Sequence, residues 1–330
     1  MKKIAINGMG RIGRASLKVI LDTPQLELVA VNDIVSIENI AYLLKYDSVY
    51  GKFEKEVTFD ENNLIVDGIK IQYNSERNPE DLPWKENDID VVIESTGFFT
   101  KSEDAKKHIK AGAKSVIISA PTKSEDIPTV VHGVNTKDGK TNIFSCASCT
   151  TNNISPVVEV LGRRIGIKKA IMTTVHAYTA SQAIVDAPSG KNFRMGRAGA
   201  ANIVPTSTGA AIATTKALPE FAGKFDGVAL RVPIPVGSMS DLTFVMERNV
   251  SPEEVNAIFV EEAETDRYKN VLSTTSEPLV SSDIVKNPHA STVDLGMTRV
   301  VDGDLLKVMT WYDNEWGFTN QMIRQILAEI

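Results

Sequence analysis

Apolar residues from Ile4 to Ile6 stop at Asn7, and the chain then changes to helical spacing. This predicts a strand over Lys3–Asn7 and a helix over Arg11–Leu21. The alternation continues with a Val-rich strand at Glu27–Asp33, a helix at Ile37–Lys45 and a helical run at Ser102–Ala113 with one polar face. Asp90–Glu94 and Ser115–Ala120 are short and nearly all apolar. Continuous apolar strands alternating with helices predict a parallel sheet covered on both faces. Val57–Tyr73 departs from this, because Asn62-Asn63 and Asp67-Gly68 fall between β-formers. It is expected to be an antiparallel insertion.

After about residue 150 the pattern changes. Lys168–His176, Gly227–Val232, Asp241–Glu247 and Leu305–Trp311 alternate polar and apolar positions, as in strands with one wet face. Helices are predicted at Gly209–Leu218 and Pro252–Glu264, the second capped by Ser251 with Pro252 in its first turn. Gln182–Asn202 is Gly/Ala-rich without periodicity, and so long a structureless segment is usually functional. The fold class expected is α/β: a Rossmann-type doubly wound parallel sheet, followed by an α+β catalytic domain with a mixed, largely antiparallel sheet.

Composition adds bounds. The 330 residues, 42% hydrophobic and 24% charged, suit two globular domains. A net charge of -6 gives no overall attraction to nucleic acid or an anionic membrane. No apolar run is long enough to span a bilayer, and the stretch after Lys2-Lys3 is too short for a signal sequence, so a cytoplasmic location is expected. Two cysteines, Cys146 and Cys149, are too few for a disulfide framework.

Gly8-Met9-Gly10-Arg11-Ile12-Gly13 is G-x-G-x-x-G between the first strand and the first helix, the context a dinucleotide site requires. Its glycines allow a tight turn and close approach of a pyrophosphate to the helix N-terminus. Asp33 ends the second strand, where an acid accepts from both ribose hydroxyls and repels a 2′-phosphate, favouring NAD over NADP.

A second motif is Ala147-Ser148-Cys149-Thr150-Thr151-Asn152-Asn153-Ile154, ahead of an apolar face at Ile154, Val157, Val158 and Leu161. With Ser148 as N-cap, Cys149 falls in the first helical turn, where the dipole is expected to lower a thiol pKa. Pro156 either kinks this helix or moves its start. A lone cysteine is more often a small buried hydrophobe, but a core does not favour so many hydroxyls around it.

Ala147–Asn152 resembles the active-site hexapeptide of the phosphorylating glyceraldehyde-3-phosphate dehydrogenase family. The likeness extends to Asn7–Arg14, to a long loop at Lys191–Ala201 (the S-loop), to Pro205–Ala211 and to Trp311–Phe318. It implies that His176 activates Cys149, that Thr179 and Arg231 hold the substrate phosphate, and that Ser148, Thr150, Thr208 and Gly209 line the inorganic-phosphate position. Arg194 matches a further phosphate-site arginine. For NAD it implies Gly10, Arg11, Ile12, Arg77 and Ser119 beside Asp33, with Asn314 near the nicotinamide amide.

The resemblance further implies an NAD-binding domain over residues 1–148, to which helix 315–330 returns, a catalytic domain over 149–314, and a homotetramer. The substrates implied are glyceraldehyde 3-phosphate and inorganic phosphate, in glycolysis or gluconeogenesis. His108, His132 and His289 are expected to be solvated or structural.

The chain departs from many family members at Cys146 and Asn153, and slightly at Met195–Gly199. Cys146 is expected to be structural, and zinc is not expected, since no second ligand pair follows the C-x-x-C spacing. Two other functions compete: an erythrose-4-phosphate dehydrogenase, in which water attacks the thioester, and a non-catalytic NAD-binding sensor.

Overall fold

The computed structural model describes residues 1–137, 139, 141–190 and 192–329. Lys191 and Ile330, at the ends of two expected segments, lie outside the described residues. The contacts divide the chain into unit 1 (Met1–Val130, Thr136–Ala147 and Met322–Ile330) and unit 2 (Val131–Asn135 and Ser148–Gln321).

In unit 1, β1 (Lys2–Asn7), α1 (Arg11–Leu21), β2 (Leu26–Asn32) and α2 (Ile37–Lys45) follow the predicted alternation. The short hairpin β3 (Tyr46–Asp47) and β4 (Gly51–Lys52) precedes the insertion β5 (Val57–Phe59), β6 (Asn63–Val66) and β7 (Ile69–Asn74). After it come β8 (Val91–Glu94), α3 (Ser102–Lys110), β9 (Ser115–Ile118) and β10 (Ile143–Ser145). The sheet order is β10-β9-β8-β1-β2-β7-β6-β5. Pairing is parallel from β10 through β2, because each strand is apolar on both faces and helices cover them. The insertion is antiparallel within itself, yet β7 pairs in parallel with β2, so it extends the main sheet. Ile4, Ala5, Ile6, Val92 and Trp84 are fully buried in this unit.

Unit 2 begins its main run with α4 (Cys149–Arg164), β11 (Ile167–Ala177), β12 (Val204–Ser207), α5 (Ala210–Ala217) and β13 (Phe225–Val232). Then come β14 (Ser238–Met246), α6 (Pro252–Ala263), β15 (Leu272–Thr275), β16 (Ser291–Asp294), β17 (Arg299–Val301), β18 (Leu305–Tyr312) and the start of α7 (Trp316–Glu329), whose residues from Met322 on belong to unit 1. The sheet order is β12-β13-β11-β14-β18-β16-β15. Most pairs are antiparallel, whereas β11–β13 and β15–β16 are parallel. β14 alternates buried and half-buried positions along its whole length, as a strand with one packed face must. Among its described residues, the Gly/Ala-rich stretch holds only a short turn of helix at Phe193–Gly196.

α4 starts at Cys149 and runs through Pro156, so the proline does not delay it. No helix among the described residues is long and apolar enough to cross a membrane. His108 is fully buried rather than solvated: Ala105 and His108 are one helical turn apart and form the buried face of α3.

Candidate active site and dinucleotide pocket

Unit 1 carries a cavity of about 450 Å³ lined by Gly8, Gly10, Asn32, Asp33, Arg77 and Thr96, among others. The three motif glycines have separate reasons. Gly8 has φ +98°, and a Cβ there would lie 2.7 Å from the Thr96 amide nitrogen. At Gly13 it would lie 1.9 Å from the Gly8 carbonyl oxygen. At Gly10 it would meet nothing within 4 Å. The protein therefore requires glycine at positions 8 and 13. At the N-cap of α1 the freedom from a side chain serves whatever approaches the helix amides. No acidic residue in the first turn of α1 opposes an anion there.

Asp33, just beyond β2, accepts the Met9 amide at 2.6 Å on one oxygen and the Val35 amide at 3.0 Å on the other. Its carboxyl is thus fixed against the glycine loop at the rim of the cavity. These features fit a dinucleotide.

Not every expected cofactor residue lines this cavity. Arg11 donates to Asp47 at 2.6 Å and its guanidinium lies over the Tyr50 ring, so its side chain has partners of its own. Main-chain hydrogen bonds from Val49 and Tyr50 and the Arg11 charge outweigh burial and hold the Asp47 carboxyl below its ordinary range. Ile12 and Ser119 are not among the lining residues.

Asn7, Asn32 and Thr96 of the cavity lining belong to a buried polar network that the sequence did not reveal. Asn32 donates to Asn7 at 2.7 Å, and Asn7 donates to Glu94 at 2.6 Å. Trp84 donates to His108 Nδ1 at 3.0 Å, so the ring hydrogen is on Nε2, 3.1 Å from Glu94 Oε2. Glu94 Oε1 accepts from the amide and hydroxyl of Thr96.

In unit 2, α4 and β11 meet at Cys149 and His176. Ser148 caps α4, its Oγ accepting the Thr151 amide at 3.1 Å. Cys149 Sγ lies 3.3 Å from His176 Nε2 and 4.0 Å from the Thr150 hydroxyl. His176 sits at the end of β11 opposite Arg231 in β13. Its Nδ1 is 2.7 Å from the Ala177 carbonyl oxygen and 2.6 Å from Arg231 Nη1.

The electrostatics of this cluster differ from the expectation for a helix N-terminus alone. Burial pushes the Cys149 thiol up, whereas the Arg231 charge, the Thr150 hydroxyl and the helix amides pull it down. Burial is the largest of these effects, so the dipole by itself does not give a thiolate. Burial and the Arg231 charge push His176 down to about 3. Both shifts run against a thiolate–imidazolium ion pair.

Tyr312 completes the cluster and was not anticipated. Its buried hydroxyl lies 2.9 Å from both Thr150 Oγ1 and Thr174 Oγ1, and its ring meets His176 edge-on at 6.0 Å. Burial, then the Cys149 charge, raises its phenol pKa. The alternation of β11 puts Thr174 on the face of His176, which is the signal available in the sequence.

The remaining expected residues have local partners. Thr179 Oγ1 is 2.9 Å from Ser181 Oγ, Thr208 Oγ1 accepts the Ala210 amide at 3.2 Å, and Gly209 is the N-cap of α5. Arg194 lines two cavities of about 790 and 180 Å³ with Pro205. Neither cavity is lined by Cys149 or His176. Asn314 Oδ1 accepts from Ser238 at 2.9 Å. Cys146 and Cys149 are both free thiols, and Cys146 is buried, its pKa raised by burial and then by Glu329.

Residues 2–102 match the family model described as glyceraldehyde 3-phosphate dehydrogenase, NAD binding domain, and residues 148–314 match that of the C-terminal domain. The chain belongs to the glyceraldehyde-3-phosphate dehydrogenase family. It is 49% identical over 325 residues to glyceraldehyde-3-phosphate dehydrogenase 2 of Streptomyces avermitilis, covering 97% of this chain and 96% of the relative. Glyceraldehyde-3-phosphate dehydrogenase 1 of Bacillus subtilis is also 49% identical, over 324 residues with the same coverage. The enzyme of Clostridium pasteurianum is 46% identical over 333 residues, 99% of this chain and 98% of the relative.

As a member of the glyceraldehyde-3-phosphate dehydrogenase family, the chain is an NAD-dependent oxidoreductase with a Rossmann domain and the family's C-terminal domain. The resemblance carried by the hexapeptide and the glycine loop is borne out along nearly the whole chain.

Proposed function

We propose that the chain oxidises glyceraldehyde 3-phosphate with NAD and inorganic phosphate to 1,3-bisphosphoglycerate, with Cys149 carrying the acyl group. The observation that supports this reading best is the 3.3 Å approach of Cys149 Sγ to His176 Nε2. In the tautomer that donates Nδ1–H to the Ala177 carbonyl, which Arg231 Nη1 opposes until a phosphate draws that guanidinium away, Nε2 accepts the thiol proton. The sulfur then bonds to the aldehyde carbon, the Cys149 amide at the head of α4 stabilises the resulting oxyanion, and Nε2 returns its proton to that oxygen, giving a neutral hemithioacetal. His176 takes the hydroxyl proton as that carbon is oxidised to a thioester. NAD, when bound, supplies the hydride acceptor for this oxidation. A phosphate oxygen then attacks the thioester carbon, the C–S bond breaks, and Cys149 leaves as the thiolate.

Arg231 has two roles in this reading. It disfavours an imidazolium at rest, and it offers a guanidinium to the substrate phosphate together with Thr179. Binding a phosphate dianion to Arg231 offsets its charge and frees His176 to hold a proton during the reaction. Ser148, Thr150, Thr208, Gly209 and Arg194 serve the inorganic phosphate. Gly10, Arg11, Ile12, Asp33, Arg77, Ser119 and Asn314 serve NAD, Arg11 and Ile12 through the amides of α1.

Large apolar side chains exposed in unit 2, including Phe193 at 84% and Ile184 at 87%, support an assembly of several copies. The number four comes from the family resemblance. A cytoplasmic location accompanies the glycolytic role.

Steady-state assays test the reading. NADH formation from glyceraldehyde 3-phosphate is expected only with phosphate or arsenate, and NADP is expected to be a poor substitute. Turnover without either anion points instead to attack by water, and an absence of turnover under all conditions points to a sensor.

A further inference from the structure

β14 begins at Ser238 and lies between the ends of two strands that carry the proposed chemistry. On one side Val175 of β11 pairs with Met239, and on the other Tyr312 of β18 pairs with Ser238. Ser238 is fully buried. Its Oγ accepts the Ala177 amide at 3.1 Å and donates to Asn314 Oδ1 at 2.9 Å. A hydroxyl has one proton, so these directions are fixed: Ala177 can only donate and Oδ1 can only accept.

Asn314 Oδ1 also receives the Gly237 amide at 3.3 Å. If the Asn314 amide turned over, its NH₂ would face the Gly237 N–H, donor against donor, and the Ser238 hydroxyl would lose the acceptor for its own proton. Gly237 cannot yield easily. It has φ +94°, and a Cβ there would lie 2.2 Å from the Ser281 carbonyl oxygen. The corner therefore presents two fixed donors to Oδ1 and leaves the Asn314 nitrogen with hydrogens to give. Ala177, held by its N–H on Ser238, uses its carbonyl for His176 Nδ1 at 2.7 Å and Arg231 at 3.2 Å.

We propose that Ser238 is a positioning residue: its single hydroxyl fixes the Asn314 amide with its oxygen held and its NH₂ left to donate, and ties that amide to the backbone that holds His176. The inference rests on the reading that Asn314 serves the nicotinamide.

The test compares Ser238→Ala, Ser238→Thr and Asn314→Ala by NAD binding, by kinetics and by crystal structures. Ser238→Ala is expected to raise the Kd and KM for NAD about tenfold, the scale of one lost hydrogen bond. The double variant Ser238→Ala/Asn314→Ala is expected to be no worse than Asn314→Ala alone, because both remove the same contact. Ser238→Thr, which keeps the hydroxyl, is expected to restore NAD affinity, a rescue that general loosening of the fold does not give. In crystals of Ser238→Ala the Asn314 amide, left with only the 3.3 Å contact from Gly237, is expected to lose its single orientation, visible in the changed partners of its two terminal atoms.

An Asn314 amide that keeps its present orientation in Ser238→Ala overturns the proposal. So does unchanged NAD affinity in Ser238→Ala where Asn314→Ala weakens it. Unchanged NAD affinity in Asn314→Ala overturns the reading of Asn314 itself, and the amide orientation in Ser238→Ala still decides the role of Ser238.

Discussion

His108 in unit 1 and His176 in unit 2 are both buried, at 0% and 4% exposure, and both have partners at each ring nitrogen. Their partners differ in kind. His108 lies between an indole N–H and a carboxyl group, with Asn7 alongside, and these polar atoms satisfy one another. His176 lies between a guanidinium and a thiol. Burial alone does not separate a structural histidine from a reactive one. The distinction is whether a ring nitrogen faces a group whose bonds can change.

Exchanging each ring for a side chain that cannot titrate gives the largest expected effects. His176→Asn is expected to lower kcat by about 10²–10⁴ while leaving the fold nearly as stable. His108→Leu is expected to leave kcat per folded molecule unchanged and to cost about 3 kcal/mol in urea unfolding, since Trp84 Nε1 and Glu94 lose a buried partner. A loss of kcat in His108→Leu comparable to that in His176→Asn would erase the contrast.

A smaller effect concerns the charge beside His176. Arg231→Leu removes an attraction that pulls the Cys149 thiol down against burial. The pH profile of Cys149 alkylation is expected to move to higher pH by roughly one unit. A shift to lower pH would mean that Arg231 acts mainly by blocking the imidazolium.

The smallest effect is on acid stability. His176 is held at about 3 in the folded protein, below its ordinary 6.5. The unfolded chain therefore takes up this proton first as the pH falls. The contribution is complete above about 6.5 and is lost as pH drops toward 3. Urea midpoints at pH 7 and pH 5 are expected to differ less in His176→Asn, by at most about 2 kcal/mol. Equal pH sensitivity in both proteins would place the acid transition in other groups.

Much of unit 1 was legible in the sequence, because parallel strands buried on both faces give continuous apolar runs and G-x-G-x-x-G has a required context. The hexapeptide located α4 and its cap equally well. Ile143–Ser145 and Ser291–Asp294 were not legible, since neither is an apolar run like the equally short Val91–Glu94 and Ser115–Ile118 that the sequence did show. Between the two roles expected for His108, solvated or structural, the sequence did not choose, because Lys106, Lys107 and Lys110 conceal the narrow buried face of α3. The raised thiol pKa was missed for a different reason. The helix position of Cys149 can be read from spacing, but its loss of water depends on residues far away in the chain. Tyr312 illustrates this, lying 2.9 Å from Thr150 across 162 positions.

Unit 1 includes Met322–Ile330, which follow all of Ser148–Gln321 in the chain. They are therefore synthesised only after that whole stretch of the second unit. At 5–20 residues per second the interval is roughly ten to thirty-five seconds. A nascent chain spends this time with the dinucleotide sheet already made but a distant segment of the same unit still missing, so the end of the sheet does not mark when this unit can finish folding.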